Sequence, residues 1–171
     1  MKLKSKTIYL LLLILGFLGC GYQFPGAGDF PEGVSQIYIE VFENKTSESG
    51  VENIVTRNLI NEFTLREEKI LANSINTADA ILGGAVANIA IRTIATKGEE
   101  SASQRRVTVS VDFKLRKKDG KVIWAANKIT DNEAYAVSID KNATEANKRI
   151  AIDEASKRIV ERALNRLTDD F

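Results

Sequence analysis

No histidine occurs anywhere in this chain of 171 residues, and cysteine occurs once, at position 20. Serine–histidine and cysteine–histidine nucleophilic sites are thereby excluded, as are zinc centres built on imidazole and thiolate. Carboxylate-only chemistry stays open, but the acids stand mostly beside Lys or Arg on predicted outer faces. No pair of them lies in an apolar setting that would raise a pKa for acid–base work, so an enzyme is not expected. Neither sign of charge dominates, with 24 Lys+Arg against 23 Asp+Glu, and no global field for nucleic acid follows. A membrane-spanning helix is missing from the opening segment too. The apolar run Ile8–Leu18 has eleven residues, where a bilayer crossing needs about 20.

That run has a different use. Lys2, Lys4 and Lys6 precede it without an acid, and a positive head before a short apolar segment is the pattern of a secretory signal. Residues 1–19 are therefore expected to be removed. The junction Phe17-Leu18-Gly19-Cys20 resembles a bacterial lipobox, in which the cysteine receives acyl chains and becomes the first residue of the mature protein. Gly19 and Cys20 fit that pattern, whereas Phe17 stands where leucine is usual. Acyl chains on Cys20 would hold the protein on a membrane, and Gly21 in place of the aspartate of the enterobacterial retention rule implies the outer one. Without the signal, 21 Lys+Arg face 23 Asp+Glu, and the length suits one domain. No cofactor is expected beyond the covalent lipid on Cys20.

Both prolines and four glycines fall in residues 21–35, a composition that defeats regular structure. Residues 20–35 thus read as the lipidated start and a tether, with Tyr22, Phe24 and Phe30 available for packing, and 36–171 as one domain. In "QIYIEVF", Ile37, Ile39 and Val41 alternate on one strand face. Ser49 stands three before Glu52, a capping-box spacing, and Val51, Ile54, Val55, Leu59 and Phe63 give residues 50–66 the period of an amphipathic helix, with Asn58, Asn61 and Glu62 looking outward. From Ala80 a long strand runs through Gly83-Gly84, a pair that suggests a bulge or a close backbone approach. Residues 97–106 read as a polar loop. In the next strand Val107, Val109, Val111, Phe113 and Leu115 alternate with Thr108, Ser110, Asp112, Lys114 and Arg116, so one face is buried and one is wet. Asp119-Gly120 marks a hairpin, and "KVIWAANKIT" returns with Val122 and Trp124 on one face. Asn142 then opens a last helix to about Leu167, with Ile152, Ala155, Ile159, Ala163 and Leu167 as its apolar stripe. Its Arg149, Lys157, Arg158, Arg162 and Arg166 are read as a solvated basic face. The fold class is α+β: a four-stranded mixed sheet with two α-helices on one face, in the order β-α-β-β-β-α.

"CGYQFPG", "IYIEVFENKTSESGVEN", "ADAILGGAV" and "RVTVSVDFKLRKKDGKVIW", in that order along the mature chain, resemble the lipopolysaccharide-assembly lipoprotein family LptE. The resemblance implies a non-enzymatic outer-membrane lipoprotein facing the periplasm or a barrel lumen. Such a protein plugs and helps assemble an LptD-type outer-membrane β-barrel and binds lipopolysaccharide; nucleic acid is not among its partners. It also implies a lipid contact near the loop joining the second and third strands, which here offers Lys97, Arg105 and Arg106 for phosphates. Glu99 and Glu100 in the same loop oppose a strong anion site. "IYIEVFENKTSE" is similar as well to the start of lipoproteins related to CsgG and LpoB, which implies a secretion component or an activator of cell-wall synthases as the alternative.

Overall fold

The computed structural model describes residues 33–96 and 102–169. The signal segment, Cys20 and Lys97 lie outside the described residues. The elements are β1 (Ile37–Ile39), β2 (Glu43–Asn44), α1 (Val51–Glu67), a short 3-10 helix (Glu68–Ile70), β3 (Ala80–Thr96), β4 (Ala102–Lys117), β5 (Val122–Ala136) and α2 (Lys141–Asp169).

The strict alternation in β4 sets the plan of the molecule. Val107, Val109, Val111, Phe113 and Leu115 are fully buried, and the residues between them line the opposite face. One core joins these side chains to Val55, Leu59 and Phe63 of α1 and to Ile152, Ile159 and Leu167 of α2, so both helices cover the same face. The strand order is β1-β3-β4-β5, with β2 also on β3. β1 and β2 run parallel to β3, which makes α1 the crossover, while β3, β4 and β5 form an antiparallel meander. The helices run side by side in the same direction. Glu48 before α1 meets Lys148, Asn58 meets Asp153, and Arg66 meets Asn165.

The expected β-α-β-β-β-α order and α+β class hold, with the first strand split in two. Glu40 still donates its amide to Leu82 O at 3.0 Å, but Phe42 turns its amide to Thr56 Oγ1 of α1 at 3.1 Å. A break of this kind flips the side-chain faces. Phe42 therefore enters the core, edge-on to Phe113 at 5.2 Å between ring centroids, and Val41 is left 64% exposed. The face shared by Val122 and Trp124 divides in the same way: Trp124 stands opposite buried Leu115, Val122 opposite Arg116, with a register shift between them. Asn58 does not look outward. It is buried against α2, donating to Asp153 Oδ1 at 3.1 Å.

Turn and cap chemistry shifts by a residue or two from the sequence expectation. Glu52 accepts from Asn44 Nδ2 at 2.9 Å, tying β2 to the first turn of α1. Asp140, not Asn142, caps α2: its Oδ1 accepts the Asn142 amide at 2.8 Å. In the β4–β5 hairpin only Gly120 takes a positive φ, 88°, and Asp119 accepts the Lys121 amide at 2.9 Å. Gly83 and Gly84 answer to close approach. A Cβ on Gly84 would overlap the Asp112 carbonyl, and one on Gly83 would overlap the Glu40 side chain, which crosses that strand to pair with Arg116 at 2.7 Å.

Candidate functional site

Antiparallel pairing without helices above it leaves the second face of the sheet open among the described residues. Its cross-strand rows are read directly from the register: Ala90, Thr108 and Asn132; then Asn88, Ser110 and Thr130. The side chains are short and, Ala90 apart, polar, and Thr130 Oγ1 lies 3.2 Å from Ser110 Oγ. These central rows have no apolar core to hide and no long side chain to hold another surface away; the long side chains of this face, Arg92 and Arg106 at one end and Lys114 and Arg116 at the other, flank them.

At the distal end of this face the residues expected to contact lipid phosphates are partly rearranged. Residues 102–106 are not loop but the start of β4, paired with β3 and β5. Adjacent residues of a strand point to opposite faces, so Arg105 and Arg106 diverge. Arg105 stands opposite Thr93 and buried Tyr135 on the helix side, whereas Arg106 stands opposite Arg92 and Ala134 on the open face. Arg92, absent from the sequence expectation, is thus the cross-strand neighbour of Arg106. Like charges in that position are unfavourable without a counter-ion. The signal that could have found it was the strand register, which single-sequence periodicity does not supply.

On the helices Arg57, Arg66, Lys148, Lys157, Arg158 and Arg162 are engaged by carboxylates. Lys148 sits between Glu48 at 2.9 Å and Glu145 at 2.6 Å. Burial would lower its pKa, but the two carboxylates outweigh burial and raise it. Burial would likewise raise the Asp153 carboxyl, and hydrogen bonds from Lys157, Asn58 and Arg57 outweigh that and hold it below its ordinary value. Arg158 and Arg162 both reach Asp131 of β5, and Arg158 also meets Glu133 at 2.6 Å. The hydrogen bond to Asp131 is the main cause that raises the Arg158 pKa. The Arg158 and Arg162 pairs fasten α2 to β5, the Lys148–Glu48 and Asp153–Arg57 pairs tie it to α1 and the segment before it, and these groups are not free to bind a ligand. Arg92, Arg105 and Arg106 are in no ion pair among the described residues. No group of three or more His, Cys, Asp or Glu that could hold a metal occurs among the described residues. None of the described helices is long and apolar enough to cross a membrane.

Two parallel helices on one face of a mixed sheet, the other face open and polar, define a small two-layer α+β domain of a kind already solved in bacterial lipoproteins. The fold is similar to that of the uncharacterized lipoprotein B from Nitrosomonas europaea, with a TM-score of 0.55 at 12% identity, covering 86% of this chain and 90% of that one. It is also similar to the rare lipoprotein B from Shewanella oneidensis, with a TM-score of 0.52 at 14% identity, covering 75% of this chain and 94% of that one. Residues 34–167 match the family LptE, described as lipopolysaccharide-assembly, and the chain belongs to that family. Among curated proteins no sequence match was found.

Proposed function

We propose that this chain is a non-catalytic outer-membrane lipoprotein, anchored through Cys20, that occupies the lumen of an LptD-type β-barrel, helps it assemble, and contacts lipopolysaccharide on its way to the outer leaflet. The observation that carries the proposal is the open sheet face. Barrel lumens are polar, and a plug needs a rigid, short-chained polar surface backed by a core. The β3–β4–β5 meander supplies the surface, with Ser110 at its centre, and the two helices supply the backing. Family membership over residues 34–167 supports the lipopolysaccharide side of the proposal.

At the distal end, Arg92 and Arg106 form the cation pair best disposed for lipid phosphates, since guanidinium groups make bidentate contacts. Lys97, on the connection between β3 and β4, and Arg105 on the helix side complete the proposed contact set.

The test is affinity purification of the tagged, full-length protein from the outer membrane of its own host. Recovery of an LptD-type barrel in comparable amount is expected; recovery of the anchored protein without any barrel would overturn the plug role. A penicillin-binding protein in the eluate instead would favour the synthase-activator alternative.

A further inference from the structure

The other end of the sheet carries a second basic surface. The β4–β5 hairpin, residues 114–121, holds Lys114, Arg116, Lys117, Lys118 and Lys121 against one acid, Asp119. Arg116 is taken by Glu40. None of the four lysines is in an ion pair among the described residues. Lys118 donates from Nζ to the carbonyl of Asn76 at 2.7 Å, which sets the 73–77 loop beside the hairpin. Asp79, also at this end, accepts the amides of Ser35 and Gln36 at 2.9 and 3.0 Å.

Two further features distinguish this surface from an ordinary solvated turn. Ile75 is 45% exposed and Val122 is 50% exposed; the first adjoins Asn76 and the second follows Lys121. Aliphatic groups set among lysines suit the boundary between headgroups and acyl chains. The second feature is where the chain leaves the domain. Ile37 and Lys117 both pair with Ala80, two strand spacings apart, or about 10 Å. The segment that leads back to Cys20 therefore departs from this same end. The thirteen residue steps from Cys20 to Gly33 reach at most about 45 Å, so an anchored domain cannot stray far from the bilayer.

We infer that the 114–121 hairpin, with Ile75 and Val122, is a docking surface for anionic phospholipid headgroups of the membrane that holds the anchor. The inference rests on the anchoring through Cys20 proposed above. Lysines near an anionic surface are attracted over a range set by the Debye length. The hairpin thereby sets this end at the headgroup level of the leaflet that holds the anchor, with the distal arginines at the opposite end of the domain.

The experiment uses the full-length lipidated protein reconstituted into vesicles of phosphatidylcholine alone or with phosphatidylglycerol, each carrying a nitroxide-headgroup quencher. A fluorophore is placed through Asn76→Cys at the hairpin end or through Asn142→Cys at the distal end. Phosphatidylglycerol is expected to raise the docked-to-undocked ratio at position 76 roughly tenfold and to leave position 142 unchanged. Salt near 1 M, where the Debye length is about 3 Å, and the combined Lys117→Glu, Lys118→Glu, Lys121→Glu variant are each expected to remove the effect. Salt acts on the unaltered protein, so the outcome does not hang on the variant folding. Equal quenching at position 76 in both lipids, or quenching indifferent to salt, would overturn the inference. The anchor is read separately, by flotation with phosphatidylcholine vesicles. If that flotation fails, the anchoring proposal falls, and phosphatidylglycerol-dependent, salt-sensitive flotation then decides the hairpin: its presence supports the surface and its absence ends it.

Discussion

At the scale of single residues, the two adjacent glycines of β3 do different work. Gly84 faces a backbone carbonyl that the β3–β4 ladder fixes, whereas Gly83 faces the flexible end of Glu40. Gly84→Ala is therefore expected to lower the unfolding free energy by about 3 kcal/mol, and Gly83→Ala by about 1 kcal/mol as Glu40 swings off Arg116; paired urea titrations would check the ratio. Asp153 provides a second case, through pH. Its folded pKa lies below its ordinary value, so its contribution is present above the unfolded carboxyl pKa, near 4, and is lost as pH falls through the folded value. The stability difference between the unaltered protein and Asp153→Asn should accordingly be constant near neutral pH and shrink below about pH 4. A difference that stayed constant down through that range would show that the carboxylate charge contributes nothing.

Among the elements, what was legible in the sequence followed from local period, and what was not followed from contact between distant segments. β4 was readable because one face is wholly buried and the other wet, so every second residue reports its side. Asn58 was misread because helix periodicity ranks it as polar, while its partner Asp153 is 95 residues away. The Glu40–Phe42 break was hidden for a similar reason: it is made by Thr56 on α1, not by any residue of the strand. β5 also outran its expected end because the register with β4 continues to Ala136 past a bulge, where Lys128 has φ 53° and donates its amide to Asp112 Oδ1 at 2.7 Å. The distal arginine site was legible in composition and illegible in geometry, since the sequence places Arg105 and Arg106 together and the strand sends them apart. The clamp between α2 and β5 is the element-scale feature most open to test. Asp131→Ala removes the carboxylate shared by Arg158 and Arg162, and is expected to cost about 1–2 kcal/mol of stability. The loss should shrink in high salt, because the arginines are partly exposed and the pairing is screened; a salt-independent loss would assign the effect to packing instead.

For the whole molecule, the division of surfaces carries the functional proposal: a closed helical side, an open sheet face, arginines at one end and lysines at the other. Solvent alone would also accept a polar face, so the distinguishing quantity is tolerance to bulk. Ser110 and Thr130 are cross-strand neighbours in the middle of the open face, and tryptophan is favourable in exposed strand positions. Ser110→Trp with Thr130→Trp should therefore leave the thermal midpoint within about 4 °C, the shift given by roughly 1 kcal/mol in a domain of this size. If the face lies against a barrel wall, two indoles in its centre destroy the fit, and the amount of barrel co-purified with the tagged, full-length variant should fall several-fold. Arg57→Trp, on the outer side of α1 where Arg57 is exposed and, among the described residues, pairs only with Asp153, removes an exposed ion pair of small expected worth and controls for added bulk away from the sheet. Loss of the barrel with the sheet variant but not with Arg57→Trp assigns the contact to the open face. Equal recovery from all three proteins would mean that the sheet faces solvent, and the plug would then have to seat through its helices.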